Sequence, residues 1–91
     1  ELHTRESIDN ATALMSMLIQ TRQQLEDSVH DILTKAKEDN VTYIELQVRP
    51  TAHTKRKLSF EEVIDIVLNK KDQLAKELNM GVEVVVYVDW N

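Results

Sequence analysis

Val41-Thr-Tyr-Ile-Glu-Leu-Gln-Val-Arg49 and Val82-Glu-Val-Val-Val-Tyr-Val-Asp89 decide how this chain folds. Both are rich in β-branched and aromatic residues, the composition of strands. Between them lie a basic loop, 50–58, and a helical pattern, 59–80. Strand, crossover helix, strand is the unit that joins two parallel strands, with a right-handed crossover. The last strand runs apolar without a break from Val84 to Val88. A run of that kind predicts a strand covered on both faces, as in the interior of a parallel sheet. In the first strand Thr42, Ile44, Leu46 and Val48 alternate with Tyr43, Glu45 and Gln47. The polar face has two readings: it meets solvent, or it faces the interior of a barrel.

The helix between the strands opens on the sharpest local signal in the chain, Leu58-Ser-Phe-Glu-Glu-Val63. Ser59 and Glu62 have the spacing of a capping box, and Leu58 and Val63 that of a hydrophobic staple. Val63, Ile64, Val67, Leu74, Ala75 and Leu78 form the expected buried stripe. Asn79-Met80-Gly81 ends the helix, with Gly81 able to take positive φ.

Upstream, Ile8, Ala11, Leu14, Met15, Leu18 and Ile19, then Leu25, Val29, Ile32, Leu33 and Ala36, follow helical spacing. Residues 7–40 therefore read as helical, either one long helix or two meeting near residue 21, with Ser7 as an N-cap. Asn40 suits the left-handed stop. Met15, Met17 and Met80 read as core filler. The expected architecture is one α-β-α-β unit over residues 1–91. Two parallel strands cannot cover both faces and both edges of a sheet. The sheet must be completed by self-association or by further chain.

The chain has 91 residues and a net charge of −5, with 42% hydrophobic and 30% charged residues. This is globular composition, and the acidic balance argues against bulk nucleic-acid or anionic-membrane binding. No apolar run is long enough to span a bilayer. Cysteine is absent, which excludes disulfides and thiolate metal sites and is compatible with a reducing, cytoplasmic setting.

Arg49, His53, Lys55, Arg56 and Lys57 lie in one loop without an acidic residue. The loop follows the carboxyl end of a strand, where parallel α/β proteins bind ligands. Contact with a phosphate-bearing or other anionic ligand is one reading; a solvated, mobile loop is the other. His30, with no second ligand at helical spacing, reads as a surface residue.

Lys35-Ala-Lys-Glu-Asp-Asn-Val-Thr-Tyr-Ile-Glu-Leu-Gln-Val-Arg-Pro50 resembles the adenosine and AMP deaminase family. Val41, Tyr43, Ile44, Glu45, Leu46 and Pro50 match its strand motif. The resemblance continues through Leu58-Ser-Phe-Glu-Glu-Val-Ile64 to Val88, covering about residues 28–88. It implies a segment of a metal-dependent hydrolase on a (β/α)8 barrel. It also implies hydrolytic deamination of purine nucleosides in the full-length family, with zinc in the complete barrel. The nucleoside would bind beyond Arg49 and the end of the last strand. Gln47 stands where the family has Arg. Glu1-Leu2-His3 is similar to the start of the family's His-x-His zinc motif, but Arg5 replaces the second His. His3 is thus the single metal candidate. A catalytic zinc needs about three protein ligands and an open position for water. His3, His30 and His53 are scattered, so the chain alone is expected to hold no cofactor and to be inactive. The alternative is a non-enzymatic, self-assembling αβαβ module, natural or engineered, with an anion-binding loop. The partners implied are further copies or the remainder of a barrel.

Overall fold

A computed structural model of the protein describes residues 10–16, 18–55 and 57–87. The element order is β1 (Ala11–Leu14), α1 (Arg22–Glu38), β2 (Tyr43–Val48), a 3-10 turn (Pro50–His53), α2 (Phe60–Leu78) and β3 (Gly81–Val86). The sheet has three strands in the order β1-β2-β3, all parallel.

The first correction to the sequence reading falls in the expected helix over 7–40. Residues 11–14 are a strand, and helix begins only at Arg22; Ser7 lies outside the described residues. Ala, Leu and Met favour helix locally, but pairing with β2 overrides so weak a preference. Ala11 lies opposite Ile44 and Ala13 opposite Leu46, so these small side chains cover the β2 core face. Met15 continues the ladder through its amide to the Gln47 carbonyl and is buried. The two-strand expectation becomes three strands with two crossover helices.

Each helix is delimited by its own sequence. The Thr21 hydroxyl accepts from the Gln24 amide and starts α1. At its other end Asn40 takes φ 64°, while the amides of Asn40 and Val41 reach the carbonyls of Lys37 and Ala36. That is the Schellman pattern, with Val41 and Ala36 as its apolar contact. In α2 the expected capping box is present in full: Ser59 Oγ accepts from the Glu62 amide at 3.1 Å, and the Ser59 amide donates to Glu62 Oε1 at 2.9 Å. Positive φ at the end of α2 belongs to Asn79 (51°), not to Gly81, which is already in β3.

Leu25, Val29 and Leu33 of α1 and Val63, Ile66, Val67 and Leu74 of α2 form one core with Ile44, Leu46 and Val48. The two helices pack against each other, and so they share one face of the sheet. Of the methionines, Met15 and Met80 are buried in this core, and Met17 lies outside the described residues. The described residues do not give β3 the cover on both faces that its valine run calls for. It pairs on one side only, Val84 and Val85 are half-buried, and Val86 is exposed. Among the described residues Val82 and Val84 pack against the core on one face and no element reaches the other; Val88 and Asp89 lie outside them. Among the described residues no helix is long and apolar enough to cross a membrane.

Candidate functional site at the open face and carboxyl end of the sheet

Consecutive parallel strands with both helices on one side leave the other side open. The odd-numbered residues of β2, Tyr43, Glu45 and Gln47, point there, in register with Gly81, Glu83 and Val85 of β3. Thr12 and Leu14 of β1 lie opposite Glu45 and Gln47 on the same face. The Tyr43 hydroxyl donates to Glu83 Oε2 at 2.5 Å, and Gln47 Nε2 donates to Glu45 Oε2 at 2.8 Å. The Tyr43 phenol is raised above its ordinary 10.0, first by the bond to Glu83, then by desolvation and by the charges of Glu83 and Glu45.

The second region is the carboxyl end, where the connections after β1 and β2 meet. His53 is buried, and its Nδ1 lies 2.7 Å from the Ile19 carbonyl oxygen. The Lys55 amide donates to Gln20 Oε1 at 2.9 Å. Next to this seam, Gln20, Thr21, Arg22, Lys57 and Leu58 line a cleft of about 350 Å³. That volume is at the lower end of small-molecule sites. Arg22 and Lys57 supply positive charge; Arg22 also helps hold the Glu62 carboxyl below its ordinary value, after the larger effect of the two bonds to Ser59.

The basic-loop candidates therefore separate. Lys57 lines the cleft, Arg49 and Lys55 are exposed, and Arg56 lies outside the described residues. His53 is buried at the end of the turn Pro50–His53, with its Nδ1 engaged by the Ile19 backbone. The sequence reading missed Gln20 and Arg22, because they fall in a stretch read as helical, either within one long helix or where two meet near residue 21. It also missed the Tyr43–Glu83 bond, which the register alone creates.

Zinc, implied by the family resemblance, does not fit the described residues. Among them no three His, Cys, Asp or Glu side chains lie close enough to share a metal ion. His30 is exposed beside Asp31, His53 is buried alone, and His3 lies outside the described residues.

The chain is similar in sequence and in fold to known proteins. A probable adenosine deaminase of Dictyostelium discoideum is 31% identical over 85 residues, covering 93% of this chain and 11% of that protein. An adenosine deaminase of Enterococcus faecalis is 36% identical over 50 residues, covering 55% of this chain and 15% of the relative. The crystal structure of an adenine deaminase from Arthrobacter aurescens superposes with a TM-score of 0.57 at 26% identity, covering 79% of this chain and 21% of that one. This chain thus spans a small part of the length of each of these proteins. The family model described as adenosine deaminase matches residues 7–89, and the chain belongs to the adenosine deaminase family.

Proposed function

We propose that the chain supplies three successive strands to a deaminase-type (β/α)8 barrel and does not turn over substrate alone. The observation that carries this reading is the strand order. A run β1-β2-β3 without reversal, with both helices on one face, has the geometry of a barrel wall. In a closed barrel the open face, with Tyr43, Glu45, Gln47 and Glu83, becomes the interior. The carboxyl-end seam and cleft would then lie at the rim where barrel enzymes carry their sites. The completing strands come from the remainder of a barrel or from further copies of this chain. The complete barrel would hydrolyse a purine nucleoside: water adds its oxygen to the amine-bearing ring carbon, the carbon–nitrogen bond breaks, and ammonia leaves. The nucleoside would lie beyond Arg49 and the end of β3. No step is assigned to zinc, since the described residues do not assemble its ligands.

The test is a chimera. Residues 28–88 replace the matching segment of the Enterococcus faecalis relative, and ammonia release from adenosine is followed. Turnover by the chimera, and none by the isolated chain, is the expected result. A folded, zinc-loaded chimera without turnover would overturn the reading, as would turnover by the isolated chain.

The cleft favours one second reading, an anion-binding module, because Arg22 and Lys57 are both among its lining residues. Binding of inorganic phosphate that weakens with salt and disappears in Arg22→Gln/Lys57→Gln would support it.

A further inference from the structure

We infer that His53 is a positioning residue, held in the Nδ1–H tautomer, that fastens the connection after β1 to the connection after β2 and so sets the walls of the cleft. This stands independently of the deaminase reading. A carbonyl oxygen cannot donate, so the proton in the 2.7 Å contact between Nδ1 and Ile19 belongs to the imidazole. Nε2 is buried and meets no hydrogen-bond partner among the described residues. A proton there would place an N–H in the interior with no described residue to accept it, a costly arrangement. The packing selects the tautomer with its proton on Nδ1.

The bond spans 34 positions of sequence, and a second runs beside it from the Lys55 amide to Gln20. Gln20 in turn donates its amide to Gln24 Oε1, and Thr21 caps α1. Fixing Ile19 therefore fixes the adjoining Gln20–Arg22, which line the cleft together with Lys57 and Leu58. Loop residues without such a fastening sample many arrangements. A buried ring held at one nitrogen removes that freedom.

The test uses the full chain, labelled with 15N, and long-range proton–nitrogen correlation through the imidazole rings at neutral pH. His53 is expected to show its proton on Nδ1 and a bare, pyridine-type Nε2. His53→Asn, which keeps an N–H near the Nδ1 position, is expected to leave exchange of the Lys55 amide close to wild type. His53→Gln, which moves the N–H to the Nε2 position, is expected to accelerate that exchange about tenfold while amides within α2 are unchanged. A proton found on Nε2 of the wild-type chain would overturn the inference whether or not either variant folds. Equal Lys55 exchange in all three proteins would overturn it too.

Discussion

Tyr43, Gly81 and Glu83 show how one missing side chain can shape an open sheet face. A Cβ added at Gly81 would lie 2.7 Å from Tyr43 Cδ2, closer than carbon atoms approach. The single glycine of the chain is therefore used for close approach, letting the Tyr43 ring cross β3 and reach Glu83. Gly81→Ala should push the half-open ring aside and break the Tyr43–Glu83 bond. The phenol reports this. In a Tyr87→Phe background, absorbance titration should place Tyr43 above its ordinary value, and both Gly81→Ala and Glu83→Ala should bring it back down. The bond raises the folded-state value, so its stabilising effect is complete below about pH 10. It fades as pH rises through the folded value. A phenol that titrates identically in all three proteins would rule the bond out.

Among the elements, the start of α2 was legible and β1 was not. Ser59 and Glu62 act over three residues of backbone, so their spacing alone discloses the cap. Ser59→Ala should cost about 1 kcal/mol in denaturant unfolding. Glu62 adds a pH signature. Its carboxyl is lowered by the bonds to Ser59, so their contribution is present above the unfolded value near 4.5 and is lost as pH falls through the folded one. Glu62→Gln should flatten the acid side of a melting-temperature profile; an unchanged profile would remove the box from the account of stability. β1 depends instead on a partner 33 residues away, Ala11 against Ile44, and four residues of Ala, Thr and Leu carry no alternation strong enough to announce it. The same limit hid half of the candidate site. Lys57 is conspicuous as charge, whereas Gln20 and Arg22 become neighbours of the loop only through the β1–β2 pairing. His53 stood out as a loop histidine, but its burial follows from the turn over Pro50–His53 and from Ile19, neither visible in local pattern.

At the scale of the molecule, the core is one-sided. Leu46 is fully buried in the core that the sheet forms with the helices, and Leu46→Ala should lower unfolding stability by about 2–5 kcal/mol. Beyond that layer, among the described residues, the sheet has an open face and unpaired outer edges at β1 and β3, with Leu14 and Val86 exposed. Free apolar edges of parallel strands recruit further strands. The central proposal, that these three strands are a sector needing neighbours, is tested most directly by sedimentation equilibrium of the purified chain across a wide concentration range. The expected result is a mass that climbs above the 10.6 kDa protomer with concentration and falls back in Val86→Lys. A single 10.6 kDa species at every concentration, unfolding cooperatively and with protected β3 amides, would contradict it.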